Sequence, residues 1–330
     1  MTTTAPARIV FIGINSHFSA VHLHALAGCR GQVSAVLETV GRISPLKRLQ
    51  RRLQPSRLAR MARAAGVPFQ EIRHRDMSGL TLALRDRAPD LVVVAGMGWL
   101  LDKAALAVPR LGTLNVHPAL LPAYRGAEPV FWQLFDGVPQ SGVTVHLVDR
   151  REDHGPIVAQ RSFPLPPGSS LSHFLRRIHE LGPPLLSQAV DAVLAGTARP
   201  QAQPEVSPTR RARRLQPADR FLVDLEGWSL ERTCQVLKGV GPVLGWPRPR
   251  WRDLGRVPVI EAAVPGEPGL PAGAASADSD GPFLAHPQGR IRFRRCWAPA
   301  AWLEAMRRGD RVASGIIATE KTAWPPLPGP

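Results

Sequence analysis

Cysteine is scarce in this sequence. The 330 residues include three cysteines, at positions 29, 234 and 296. They are far apart, odd in number and form no CxxC pair, which argues against a disulfide framework or a zinc site. Free thiols of this kind are typical of a reducing compartment, so we expect a cytoplasmic protein with no bound metal.

Long hydrophobic runs are also lacking. The longest uncharged apolar stretch extends from Leu91 to Leu101, well short of the roughly 20 residues that a membrane-spanning helix needs. The apolar run that begins at Ile9 is interrupted at Gly13, so it does not predict a signal peptide. We therefore expect no contact with a membrane. Apolar residues still make up 44% of the chain, which excludes a disordered protein and allows about two domains.

Acidic residues and lysine are few compared with arginine. Asp and Glu total 26 against 42 Lys and Arg, four of them lysine, and the formal net charge is +16. Such a charge is typical of nucleic-acid-binding proteins. An arginine-favouring amino-acid composition would give the same charge without that function, and both interpretations stay open here.

The first part of the chain alternates short apolar strands with helical patterns. This alternation predicts an α/β fold with a Rossmann-like, mostly parallel sheet. The predicted strands lie at 8–13, 33–37, 90–96, 113–117 and 142–148. A long amphipathic region follows at 171–194, where Pro183 and Pro184 predict an interruption or a restart of the helix.

The second part predicts a smaller, β-rich domain. We place the first domain at 1–196, a linker rich in proline and glutamine at 197–212, and the smaller domain at 213–330. Within it, the pattern predicts a helix at 228–239, strands at 257–260 and 289–294, a mobile loop at 265–282 and a disordered tail at 324–330.

Asn115 and His117 are the first candidates for chemistry. They stand two residues apart on a predicted strand, so their side chains share one face, and Pro118 ends the strand there. Ligands in open α/β sheets bind at the carboxyl ends of strands. An amide and an imidazole could polarise a carbonyl group and move a proton, with Asp153 orienting the histidine. We interpret His146 as a structural histidine and expect His154 to point away from Asp153.

Four motifs occur in order in this region, and together they are more specific than the Asn-x-His pair alone. They are Asn115-Val116-His117, the Leu-Leu-Pro loop at 119–126, Gly-Val-Thr-Val-His at 142–146, and Asp-His-Gly-Pro-Ile-Val-Ala-Gln at 153–160. Over roughly residues 8–195 this pattern resembles the folate-dependent formyltransferase family. The resemblance implies a transferase that moves a formyl group from 10-formyltetrahydrofolate to an amine.

The resemblance also implies residue roles. Asn115 would donate to the formyl oxygen, His117 would stabilise the charge that develops there or shuttle protons, and Asp153 would hold His117 and help to deprotonate the amine. Residues implied in folate binding are Met97, Gly98, Trp99, Leu100, Leu120, Val148, Asp149 and Arg150. No metal is implied, and the second domain would be OB-like.

The acceptor is predicted less directly. The region 214–242 is similar to the C-terminal domain of methionyl-tRNA formyltransferases. No acidic residue occurs between Thr39 and Gln70, where the resemblance places a basic tRNA-binding loop. The predicted acceptor contacts are Arg48, Arg51, Arg52, Tyr124, Arg125 and Gly126. We therefore predict a monomer that binds folate and formylates initiator methionyl-tRNA or a close paralogous acceptor. A small-molecule N-formyltransferase and an inactive folate- or RNA-binding paralogue remain the alternatives.

Overall fold

A computed structural model describes residues 5–41, 51, 53–216, 218–219, 222–244, 256–267 and 269–297. The predicted disordered tail, together with Arg48 and Arg52, lies outside the described residues.

A seven-stranded sheet forms the centre of the first part of the chain, in the order β3-β2-β1-β4-β5-β6-β7. The first five strands pair in parallel, and β6 runs antiparallel to β5. This arrangement confirms the predicted mostly parallel, Rossmann-like sheet. The strands are β1 Arg8–Gly13, β2 Gln32–Val40, β3 Phe69–Arg73, β4 Leu91–Ala95, β5 Thr113–His117, β6 Gln140–Leu147 and β7 Ile157–Pro164.

Helices connect these strands, and polar side chains fix where several of them begin. The side chains of Ser16, Ser56, Asp76 and Asp102 each accept a hydrogen bond from the backbone three residues later, which satisfies one of the unpaired N–H groups of a first helical turn. The helices are α1 His17–Ala25, α2 Arg57–Ala64, α3 Met77–Arg87, α4 Lys103–Leu106, α5 Pro129–Asp136, α6 Leu171–Leu194 and α7 Leu230–Leu244.

Apolar strands explain why this sheet is stable. All five residues of β4 are buried, as expected for a strand covered on both faces. On one face, a core cluster joins apolar side chains of β1, β2 and β4 to those of α3 and α4. This packing supports β4, which pairs with β5, the strand that carries Asn115 and His117.

The predicted break in the long helix is wrong. Helix α6 runs continuously through Pro183 and Pro184, although each proline removes a backbone hydrogen bond. Apolar residues on either side of the two prolines, Ile178, Leu186 and Val190, are fully buried. Their burial offsets the missing hydrogen bonds, so tertiary packing outweighs the local preference here.

The second part contains a separate antiparallel sheet in the order β8-β11-β10-β9, which confirms the predicted smaller β-rich unit. Its strands are β8 Arg256–Pro265, β9 Ala275–Asp278, β10 Gly281–His286 and β11 Gly289–Trp297. The loop prediction for 265–282 is therefore wrong in its second half. Small residues gave no strand signal, but β9 pairs along β10 and its Asp278 binds Arg290 and Arg292.

Contacts within the chain define two compact units. The first comprises Met1–Gly126, Ser141–Phe163 and Arg177–Arg211, and the second comprises Ala127–Gln140, Pro164–Arg176 and Ala212–Pro330. The contiguous boundary at 196–212 stays a prediction. Among the described residues, none of the helices combines the length and the apolar character needed to cross a bilayer.

Candidate active site

Strand β5 carries Asn115 and His117 at its carboxyl end. Asn115 is the one half-buried residue of this otherwise buried strand. Its register partner on β6 is His146, and its Nδ2 lies 3.1 Å from Nε2 of that histidine. Because Nδ1 of His146 donates to the backbone oxygen of Leu147 at 2.8 Å, Nε2 is the acceptor and Asn115 is the donor. The orientation of the Asn115 amide is thus fixed by a buried neighbour.

His117 is held by the loop that follows its strand. Its Nε2 lies 3.0 Å from the backbone oxygen of Tyr124, and a carbonyl oxygen can only accept, so Nε2 carries a proton. Nδ1 lies 3.5 Å from Oδ2 of Asp153. Burial lowers the pKa of His117, and the Asp153 charge opposes that shift. In the neutral ring, Nδ1 is therefore the unprotonated nitrogen.

Asp153 stands at the centre of the cluster. Its Oδ2 accepts a hydrogen bond from Gly126 N at 2.9 Å, and its Oδ1 lies 3.4 Å from Asn115 Nδ2. Burial raises the pKa of Asp153, but the His117 ring, the contact with His146 and the Gly126 N–H outweigh burial and lower it to about 2. The structure therefore brings Asn115, His117 and Asp153 together, with Asp153 ionised at neutral pH.

His146, which the sequence predicts to be a structural histidine, lies beside the candidate catalytic residues. Its Nε2 lies 3.5 Å from Oδ1 of Asp153 as well as beside Asn115. Antiparallel pairing of β5 with β6 would have predicted this position, because residues directly opposite on adjacent strands lie close together. His154 turns to Asp149, with Nδ1 3.4 Å from its Oδ2, in line with the expectation that it points away from Asp153.

Two motif residues hold the loop at 119–126. The Thr144 hydroxyl donates to Ala119 O at 2.6 Å and accepts from Leu121 N at 3.2 Å. Gln160 Nε2 donates to the same hydroxyl at 2.7 Å and to Leu121 O at 2.9 Å. These bonds fix the loop whose Tyr124 and Gly126 backbone groups contact the candidate catalytic side chains. Tyr124 and Gly126, predicted as acceptor contacts, thus also support His117 and Asp153.

The predicted folate residues lie in three places. Met97, Gly98, Trp99 and Leu100 follow β4, which pairs with β5 beside Asn115. The side chain of Leu120 packs against Gly142. A Cβ atom added at residue 142 would lie 2.3 Å from that side chain. In the loop after β6, Val148 N donates to Thr113 O at 2.7 Å, Asp149 accepts from Arg151 N at 2.8 Å, and Arg150 is exposed.

The predicted acceptor arginines that the structure describes are both engaged within the protein. Arg51 forms ion pairs with the buried Glu38 and, at 3.0 Å, with Glu71. Arg125 is 9% exposed and binds Gln203 together with backbone oxygens of the segment 204–205. Within the described ranges, no cluster of three or more His, Cys, Asp or Glu side chains is placed to hold a metal ion.

This arrangement can stabilise a developing negative charge and move a proton. An amide N–H, an unprotonated imidazole nitrogen and a carboxylate meet at the end of one strand. The amide can donate to an oxygen on which negative charge develops. The imidazole can accept a proton, and the carboxylate then stabilises the resulting cation.

Comparisons with known protein sequences all point to formyltransferases. The formyl transferase family matches residues 7–190. A methionyl-tRNA formyltransferase of Roseiflexus sp. (strain RS-1) is 31% identical over 326 residues, covering 94% of this chain and 94% of the relative. Another, from Pseudomonas paraeruginosa (strain DSM 24068 / PA7), is 32% identical and covers 88% of this chain and 91% of its own.

Solved structures show the same fold. Glycinamide ribonucleotide transformylase 1 from Symbiobacterium toebii is 25% identical with a TM-score of 0.51, over 60% of this chain and 95% of that protein. A variant of HypX from Aquifex aeolicus matches with a TM-score of 0.55 and 16% identity, over 88% of this chain and 45% of that one. At that identity the likeness concerns the fold alone.

Proposed function

Because the chain belongs to the formyl transferase family, we propose that it transfers the formyl group of 10-formyltetrahydrofolate to the amino group of methionyl-tRNA. Family membership confirms the predicted resemblance and the predicted formyl-transferring enzyme. The observation that carries the mechanism is the meeting of Asn115, His117 and Asp153. The acceptor is supported by the methionyl-tRNA formyltransferases that align with nearly the whole chain.

The residues after β4 would hold the ring of the folate. The Nε1 atom of Trp99 is a buried donor that makes no hydrogen bond within the described residues, and Leu100 is 51% exposed. A buried donor without a partner is costly unless a ligand satisfies it. Met97, Gly98, Leu120 and the loop Val148–Arg150 would complete the site. When bound, 10-formyltetrahydrofolate supplies a formyl group attached to nitrogen.

Asn115 supplies the donor for the formyl oxygen. Its Nδ2 has two hydrogens, and His146 accepts one of them at 3.1 Å. The contact of the second with Asp153 is long, at 3.4 Å, so that hydrogen can be redirected to an incoming oxygen at low cost. The bond to His146 keeps the amide oriented while this happens, which is the preorganisation that stabilises developing charge.

His117 and Asp153 handle the proton that the amine must lose. The attacking amine loses a proton as its nitrogen bonds to the formyl carbon. Nδ1 of neutral His117 can accept that proton, and Asp153 then lies against an imidazolium ion. When the bond between the formyl carbon and the donor nitrogen breaks, the same proton can pass to the leaving nitrogen, so the reaction consumes no proton.

A small-molecule amine is the second candidate acceptor. The observation that favours it is the pairing of Arg51 with Glu38 and Glu71, which withdraws one arginine from the predicted tRNA contacts. The other predicted contacts with the acceptor stay as proposals: Arg48, Arg52, Tyr124, Arg125 and Gly126. The intact catalytic cluster favours an active enzyme over an inactive paralogue. We further propose that the protein is a cytoplasmic monomer.

A direct assay separates the acceptors. Purified protein is incubated with 10-formyltetrahydrofolate and either charged initiator methionyl-tRNA or a panel of amino-sugar nucleotides. Formylation of the tRNA, weakening steeply as salt is raised because phosphate contacts release counterions, would support the proposal. Formylation of an amino sugar alone would establish the second candidate, and no transfer to any acceptor would contradict both.

A further inference from the structure

The backbone of Asp153 is in an unusual conformation. Its φ angle is 52°, in the left-handed region that side chains rarely adopt. Such a conformation is strained and persists where surrounding contacts hold it. The side-chain contact with Gly126 does not by itself fix the peptide groups around residue 153. Something else must hold the turn that aims this carboxylate at His117.

Gln203 provides that contact. It is 8% exposed, and its Nε2 donates to Asp153 O at 3.1 Å and to Gly155 O at 2.7 Å. The two carbonyl groups flank the His154 residue of the turn, so one amide group holds both sides of it. A carbonyl oxygen buried without a donor would be costly, which makes this amide the natural clamp for the turn.

Arg125 fixes the other end of Gln203. Its Nε and Nη2 donate to Oε1 of Gln203 at 3.2 and 3.0 Å, which determines which end of the amide faces the turn. Arg125 is also the residue before Gly126, whose N–H binds the Asp153 carboxylate. The contacts therefore form a closed ring that runs from Arg125 through Gln203 to Asp153 and back through Gly126.

We infer that Gln203 is a positioning residue for the carboxylate of Asp153. The inference rests on the proposed function, in which Asp153 stabilises protonated His117. It also means that the segment after residue 196, predicted as a linker, supplies a residue on which the active site depends. Gln203 touches no reacting atom; it acts by keeping Asp153 in its left-handed turn.

Two variants distinguish the donor end of the Gln203 amide from its acceptor end. Gln203→Glu keeps an acceptor for Arg125 and, ionised beside it, cannot donate to Asp153 O or Gly155 O. Gln203→Leu is similar in size and removes both sets of hydrogen bonds without adding charge. Gln201→Glu is the matched control, because that exposed glutamine pairs with Ile157 through its backbone and receives the same added charge.

Steady-state kinetics of the 330-residue chain test the inference. We expect kcat to fall about tenfold to a hundredfold in both Gln203 variants, as small misplacements of catalytic groups do, with KM for either substrate unchanged. Gln201→Glu should behave as wild type. If either Gln203 variant melts near the wild-type temperature and keeps wild-type kcat, the inference is overturned. A rise in KM with unchanged kcat would also overturn it.

A second measurement does not require the substrate that accepts the formyl group. The ring signals of His117, assigned with a His117→Asn variant, can be followed by NMR as a function of pH. Displacing Asp153 should shift the titration midpoint of His117 in both Gln203 variants, and Gln201→Glu should leave it in place. An unchanged midpoint in folded Gln203 variants contradicts the inference. This readout still tests Gln203 if the wild-type enzyme transfers formyl to none of the acceptors, in which case the proposed function fails separately.

Discussion

Replacing Asp153 by asparagine isolates the charge at the centre of the active site. Asparagine has nearly the same shape and is one of the residues that tolerate the left-handed backbone found here, with φ of 52°. It keeps an oxygen for the N–H of Gly126. Its amide nitrogen would face the contacts with Asn115 and His146. The variant therefore changes charge and donor pattern with little change in packing.

The pKa of Asp153 sets the expected size of the effect on stability. Burial raises that pKa, but the contacts with His117, His146 and Gly126 outweigh burial, and the net change is from 3.8 to about 2. One pH unit corresponds to about 1.4 kcal/mol, so the ionised form adds about 2 kcal/mol to the free energy of unfolding. Because the folded-state pKa is depressed, this contribution is complete above the unfolded value near 4 and is lost as pH falls towards 2.

Denaturant unfolding of wild type and Asp153→Asn, measured from pH 7 down to pH 3, tests this reasoning. The variant should be less stable by up to about 2 kcal/mol above pH 4, and the difference should shrink below pH 4. Asp149→Asn makes the same substitution in the same loop, at a side chain that is 34% exposed, and serves as the matched control. A stability difference that does not vary with pH would refute the charge argument. In the transfer assay, kcat should fall about 10²- to 10⁴-fold, the usual contribution of acid–base catalysis.

Three further predictions concern other positions. Asn115→Ala should lower kcat about 10²- to 10³-fold with KM for folate unchanged, and near-normal turnover would show a structural role. Burial lowers the pKa of His22 to about 3, so stability should fall by about 1.4 kcal/mol for each pH unit below 6.5 as the unfolded state takes up a proton. Unfolding titrations should show that slope flattened in His22→Gln and kept in His24→Gln, which alters an exposed residue of the same helix. In Gly155→Ala a Cβ atom would lie 1.9 Å from Leu147 O, so thermal denaturation should reveal a loss of about 1–3 kcal/mol or more; an unchanged melting temperature would contradict that steric argument.

Local patterns were sufficient for most of the first sheet. Strands such as β4 are continuous apolar runs bounded by polar residues, and this signal does not depend on distant partners. Strand β9 has no such signal because its four residues are small or acidic, and it forms through pairing with β10. The continuous helix through Pro183 and Pro184 likewise depends on packing that no local rule contains.

The proposed catalytic residues Asn115, His117 and Asp153 could be predicted because they lie within short motifs, whereas the residues that support them could not. His146 meets Asn115 through strand pairing across 31 positions. Gln203 meets Asp153 across 50 positions, from a segment without periodicity. A glutamine in a proline-rich stretch is most often a solvated residue, and its burial beside Arg125 follows from the path of the chain.

The basic span before residue 70 shows why charge along a sequence is an incomplete guide to binding. Arg51 lies in a stretch without acidic residues, yet it pairs with Glu38 and Glu71, which flank that stretch on neighbouring strands β2 and β3. Glu38 is fully buried and also accepts a hydrogen bond from Ser56. Leaving such a carboxylate unpaired would be costly, so Arg51 is required by the fold. A variant that neutralises Arg51 would therefore disturb folding as well as any contact with tRNA, and exposed arginines of α2 such as Arg60 are the better positions for testing phosphate contacts.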